Sequence, residues 1–206
     1  GICLSLLLWW RLARRDRTLF HLYMAALLGA MIGAKALYLL AEGWHDWPQP
    51  DRWLRLAAGK TILGGLIGGW LAVEGVKKLS GLHQTTGDWF ALVVPLGCAL
   101  GRLGCIAQGC CPGAVCPPGS RPALTDAAGT LRWPAAHLEL LFQLLFLSLA
   151  LTLQKFHALR GQRFHLYLTS YGIFRFWHEF HRATPSPPWL PGGLTVYQIA
   201  ALALAL

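Results

Sequence analysis

Charge is what this sequence has least of. Asp, Glu, Lys and Arg together make up 13% of the chain, about half the share of an ordinary soluble domain. That scarcity excludes a soluble globular protein with a solvated surface. No polar stretch is long enough to form a separate soluble domain, so the reading is one integral-membrane domain over residues 1–206. There is no internal repeat, which argues against a paired-repeat transporter, and no low-complexity segment. No signal peptide is visible. Methionine is absent from the first position, and the last residues, "ALALAL", stop in mid-run. The chain is therefore expected to be trimmed at both ends.

What is present is apolar surface: 55% of residues are hydrophobic, with mean hydropathy +0.45. Several runs approach the roughly 20 residues that a bilayer helix needs. The pattern predicts an all-α fold with spans near 1–10, 19–41, 61–76, 88–106, 136–154, 164–180 and 193–206. The net charge of +9 reports topology in such a chain rather than nucleic-acid binding. Segments 11–17, 77–78 and 155–163 hold nine of the eighteen Lys and Arg, and the longer loops 42–60, 107–135 and 181–192 hold six. This alternation predicts seven helices with the N-terminus outside and the C-terminus inside. Trp44, Trp47 and Trp53 then lie at the outer interface, and "GCCPG" (109–113) faces the same side.

Three basic residues remain within spans: Lys35, Arg102 and Arg175. An ionised group at the bilayer centre costs about 2.5–3.5 kcal/mol even on a lenient scale. The bland account is snorkelling or a structural ion pair. The run 164–180 argues for more, because Tyr171, Arg175, His178, Glu179 and Arg182 follow at spacings of three and four and share one helix face. Ile173, Phe174, Phe176, Trp177 and Phe180 fill the intervals. Arg175 is expected to pair with Glu179 along the helix. Arg102 and Arg175 together suit an anion such as a lipid phosphate, held in a cavity open to the outer half of the bilayer.

The blocks "GGLIGG" (64–69), "GRLG" with Gly113, "RWPAAHLELL" (132–141), "YGIFRFWHEFHR" (171–182) and "GLTVYQIAAL" (193–202) resemble, in order, those of bacterial prolipoprotein diacylglyceryl transferases. The resemblance covers nearly the whole chain. It implies an enzyme of the bacterial inner membrane that moves the diacylglyceryl group of phosphatidylglycerol onto a lipoprotein cysteine at the outer leaflet. Glycerol phosphate leaves, and no cofactor or metal is needed. It also implies a phospholipid and a lipoprotein precursor, or another acceptor, as partners, with no nucleic acid; a monomer is expected. By this resemblance Arg102 and Arg175 are catalytic, with Glu179, and Lys35, Gly64, Gly65, Gly104, Gly113, Glu139, Tyr171 and Arg182 belong to substrate binding.

The chain departs from the family where the acceptor is handled. The "HGGL" histidine is Leu63, the signature asparagine and glutamate are Cys105 and Cys110, and the histidine, glutamine and tyrosine of "RHPSQLYE" are Trp133, Ala136 and Leu138. Cys105 and Cys110 are accordingly candidate catalytic residues. His137 and His178 are candidates for a displaced general base. Several readings of the thiols stay open: disulfides, including 111–116; a thiolate activated by Arg102; a metal site completed by a histidine; and packing. Cys3 and Cys98 are expected to be inert. Two rival functions follow, a non-catalytic lipid-binding or scaffolding homologue and a membrane thiol-redox or metal-handling protein.

Overall fold

The computed structural model describes residues 17–82, 85–183 and 193–206. In chain order the elements are α1 (Arg17–Tyr38), a π-helical turn (Leu39–Gly43), α2 (Trp44–Asp46), α3 (Arg52–Ala58), α4 (Ile62–Leu79), α5 (Gly87–Gln108), β1 (Leu124–Thr125), β2 (Leu131–Arg132), α6 (Ala135–Lys155), α7 (Arg163–Glu179) and α8 (Val196–Ala205). The described residues divide into two compact units, 17–82 with 171–176 and 193–206, and 85–170 with 177–183. Helix α7 supplies residues to both.

The first unit is organised by glycine. Gly29 and Gly33 of α1 meet Gly64 and Gly68 of α4 backbone to backbone. A Cβ at Gly33 would overlap the Gly64 carbonyl oxygen, and one at Gly68 would overlap that of Gly29. Small residues four apart let two helices approach without side chains between them, as bilayer packing favours. The outer side of α1 is left to Leu28, Met31 and Ile32, all exposed. Helix α4 starts where Thr61 caps it, accepting from Gly64 N at 3.2 Å, and Thr61 N donates to Ala34 O at 3.2 Å. A bend of 51° separates α4 from α3, and extended Gly59 sits at the break against the Tyr38 ring. Helix α8 opens with a capping box: Thr195 Oγ1 accepts from Gln198 N (3.2 Å), and Gln198 Oε1 accepts from Thr195 N (2.9 Å). Tyr197 donates to Glu42 Oε1 at 2.8 Å, fastening α8 to the π-helical turn.

The second unit packs α5 against α6, with the first half of α7 completing an aromatic core. Tyr167 is fully buried, edge-on to Phe146 at 4.9 Å, and donates to buried Gln143 at 3.0 Å. Asp88 accepts from Gly161 N (2.9 Å) and faces Arg163 (3.5 Å), tying the α6–α7 turn to the start of α5. Gly161 takes φ +78° in this turn, a conformation glycine adopts at little cost, while His157 and Leu159 are also left-handed there.

Three described helices, Phe20–Asp46 (α1 through α2), Gly87–Gln108 and Ala135–Lys155, are long and apolar enough to cross a membrane, and the bent α3–α4 pair makes a fourth if it is one span. The chain is thus mostly helical and built for a membrane. The expected run 164–180 is the 17-residue α7, the run 193–206 is the 10-residue α8, and the run 1–10 lies outside the described residues. The mostly helical fold carries one small addition. Residues 113–132 build a small antiparallel ladder, in which β2 pairs with β1 (Leu124 opposite Arg132) and with Val115, while Gly113 pairs with Arg182. Alternation in such short strands is too brief to read from sequence.

Candidate active site

Arg102 stands near the end of α5 and Glu139 in the second turn of α6. Their Nη2 and Oε1 atoms are 2.8 Å apart, with the two residues 7% and 1% exposed. A charge-assisted bond of this length is what makes an ionised guanidinium tolerable in so apolar a setting. Gly101 and Gly104 lie on exposed positions of the same helix, where a Cβ would meet nothing within 4 Å.

The ladder brings more of the signature residues together. Gly113 lies so close to Trp133 that any Cβ would overlap the Trp133 carbonyl. Ala114 N donates to His181 O and Trp133 N to Ala114 O, each at 2.9 Å. Trp133 then stacks on His181 (centroids 4.2 Å) and meets Trp177 edge-on at 5.7 Å. The sequence carries one signal of this aromatic stack, the tryptophan at the family's histidine position, but its partners Trp177 and His181 come from a distant segment. Asp126 holds the turn of the ladder, accepting from Ala128 N and Thr130 N at 2.9 Å and from Arg132 Nε at 2.6 Å. The Arg132 guanidinium, then the Thr130 amide, keep the Asp126 carboxyl below its ordinary value.

Helix α7 bears out the stripe as far as Glu179, where the helix ends; Arg182 lies beyond it, bridged to Gly113. Tyr171, Arg175, His178 and Glu179 are buried, while Ile173, Trp177 and Phe180 are exposed. Glu179 faces Arg182 at 4.0 Å. His178 is wholly buried, whereas His137 is exposed and lines an open groove of about 690 Å³ with Arg121, Pro122, Ala123, Leu124 and Pro134. The two candidate bases thus occupy opposite environments.

In the other unit, Lys35 Nζ donates to the carbonyls of Ala57 (3.4 Å) and Gly59 (3.3 Å) and lies 5.1 Å from the centre of the Tyr38 ring. The break between α3 and α4 frees those carbonyls from helical bonding, which gives the ammonium partners that helical spacing could not reveal. Gly64 serves the α1–α4 approach, and Gly65 is more loosely packed, with Ala30 and Ala34 atoms at 3.6 and 3.7 Å. Leu63, at the family's histidine position, is 2% exposed.

The thiols gather at the end of α5. Cys98, Cys105, Cys110, Cys111 and Cys116 are all free, so the 111–116 bridge is not formed; Cys116 turns to Ala114 O instead. Cys105 Sγ lies 3.8 Å from Arg102 Nη1 and 3.9 Å from Cys111 Sγ. The expectation of a thiol made acidic by Arg102 is corrected for Cys110. Local desolvation of the sulfur, followed by hydrogen bonding and repulsion among the three thiols, pushes it up to about 11. Cys3 lies outside the described residues.

Comparison with known proteins identifies the family. The family described as prolipoprotein diacylglyceryl transferase matches residues 1–206. A phosphatidylglycerol–prolipoprotein diacylglyceryl transferase of Dehalococcoides mccartyi is 27% identical over 180 residues, covering 82% of this chain and 68% of its own. Proteins of that name from Clostridium perfringens (its second such enzyme) and Xylella fastidiosa are 28% and 29% identical, covering 89% and 87% of this chain and 75% and 71% of theirs. With five sequence blocks in order, the buried Arg102–Glu139 pair and a match along the full length, the chain belongs to the prolipoprotein diacylglyceryl transferase family.

Proposed function

We propose that this chain is an integral-membrane transferase that binds an anionic phospholipid, phosphatidylglycerol by the names of its relatives, and transfers the diacylglyceryl group to an acceptor thiol or other nucleophile. The acceptor gives up its proton to solvent and attacks the glyceryl carbon, the bond from that carbon to phosphate oxygen breaks, and glycerol phosphate leaves with the electron pair. Negative charge grows on the departing phosphate, so a fixed cation beside it lowers the barrier. Arg102 is that cation, pre-positioned by Glu139. Arg175 is a second buried cation assigned to the same chemistry, with Tyr171 and Glu179 sharing its helix face. Seven crossings, with the N-terminus outside and the site toward the outer leaflet of a bacterial inner membrane, follow from the alternation of basic loops and from the kinship. A lipoprotein precursor is the expected partner.

The single observation that carries this reading is the buried Arg102–Glu139 pair. The test supplies the full chain in detergent with phosphatidylglycerol labelled in its head group and a peptide carrying a lipobox cysteine. Peptide-dependent release of labelled glycerol phosphate is expected, abolished by Arg102→Ala. A second reading, a lipid-binding homologue without turnover, is favoured by buried Leu63 where the family has a histidine. Saturable lipid binding with no release above the protein-free rate would establish that reading and overturn the transferase.

A further inference from the structure

The α5 terminus gathers three thiols to which the transfer step proposed above gives no role. We propose that Cys105, Cys110 and Cys111 form a three-thiolate site for a thiophilic divalent cation of the zinc class. The three sulfurs all lie within 4.8 Å of one another, and the Cys105–Cys111 pair is 3.9 Å apart. Tetrahedral zinc–thiolate bonds of about 2.3 Å place neighbouring sulfurs about 3.8 Å apart. The cluster therefore reaches coordination distance by closing less than about 1 Å, within the reach of side-chain rotation.

The backbone explains why the thiols converge. Helix α5 ends with Gly109 in the left-handed region, at φ +62°, and the Cys110 amide donates back to Cys105 O at 3.1 Å. This is the hydrogen bond of a glycine-capped helix end, and it returns Cys110 to the turn that carries Cys105. Cys111 is itself left-handed at φ 60°, a conformation that a non-glycine residue adopts rarely. It brings a third sulfur to the same place. Cys116 is near in sequence, but its thiol is directed at Ala114 O.

Charge selects the class of ion. Three thiolates and a divalent cation leave one negative charge, whereas a monovalent soft ion would leave two. The Arg102 guanidinium, 3.8 Å from Cys105 Sγ, lies beside that residual charge. Each ligating thiol releases its proton to solvent. Cys110 is exposed and the other two are half-buried, so an ion can enter from solvent. Three protein ligands leave a tetrahedral ion one position for an exogenous ligand.

The experiment reads metal and needs no turnover, so its outcome is independent of the transferase reading. Full-length protein in detergent, reduced and stripped with a chelator, is titrated with cadmium ions and then with zinc ions. A cadmium–thiolate charge-transfer band saturating at one equivalent, and displaced by zinc, is expected. Cys110→Ser and Cys111→Ser should each weaken binding by more than about tenfold, while Cys116→Ser leaves it unchanged. In the wild-type protein, zinc should protect Cys105, Cys110 and Cys111, but not Cys116, from maleimide as mapped by mass spectrometry. Absence of a saturating band, equal weakening by Cys116→Ser, or equal labelling of all four thiols in the presence of zinc would each overturn the proposal.

Discussion

The two units solve one problem, a cation held in apolar surroundings, in different ways. In the unit of α1 and α4, Lys35 is half-buried and takes two backbone carbonyls freed by the break at Gly59, with an aromatic face alongside. In the unit of α5 and α6, Arg102 is buried and takes a carboxylate. Carbonyl dipoles suit a compact ammonium that still reaches water, whereas a fully desolvated guanidinium requires a formal countercharge. The first arrangement is a structural clasp, and the second carries charge to the place where chemistry is assigned.

The sharpest way to break this comparison is to remove one member of the Arg102 pair. Glu139→Leu leaves a buried guanidinium without its countercharge and should cost about 3–5 kcal/mol, read as a large fall in detergent melting temperature. Arg102→Met combined with Glu139→Leu should recover most of that stability while transfer stays abolished. A double variant as unstable as the single one would show that the pair does not act as a unit.

Next in size is the glycine contact that holds the Lys35 unit. Gly64→Ala places a methyl on the Gly33 carbonyl oxygen and 2.7 Å from the Leu37 Cβ, and should destabilise by about 1–3 kcal/mol. Gly65→Ala, whose Cβ would meet only ordinary contacts, should be neutral or slightly stabilising through helix propensity. Equal melting shifts for the two variants would refute the backbone-to-backbone packing.

Lys35→Met should do less, about 1 kcal/mol, because the ammonium is partly solvated and the carbonyls it leaves can take water. Its effect on lipid turnover should be well below that of Arg102→Ala in a side-by-side assay. Turnover lost equally in both variants would place Lys35 on the substrate rather than in a clasp.

The smallest effect concerns the ladder. Asp126 has a folded-state pKa below its ordinary value because of Arg132 and the Thr130 amide. A depressed acid contributes stability at pH values above its unfolded pKa, about 3.9, and loses that contribution as pH falls through the lower folded value. Amide protection factors at Ala128 and Thr130, taken relative to the intrinsic exchange rate at each pH, should therefore fall below about pH 4 in the wild type. In Asp126→Asn they should be lower at neutral pH and show less change on acidification. Identical profiles would remove Asp126 from the turn.

Composition and periodicity were enough to establish a membrane helical protein, its main helices to within a few residues, and the buried face of α7. Each of these depends on spacing along one chain, and a helix repeats its environment every three or four residues. The same holds for the family, because its blocks are contiguous. What depends on two distant segments meeting was decided only by tertiary structure. The Arg102–Glu139 pair joins residues 37 positions apart, and Glu139 sits in a helix whose sequence gives no hint of that partner. Lys35 had no visible partner because its acceptors are carbonyls exposed by a helix break, which depend on backbone conformation and not on residue type. The thiol cluster lies between these cases. The three cysteines within residues 105–111 were visible from the start, but only a left-handed cap at Gly109 and a left-handed Cys111 turn them into a single site.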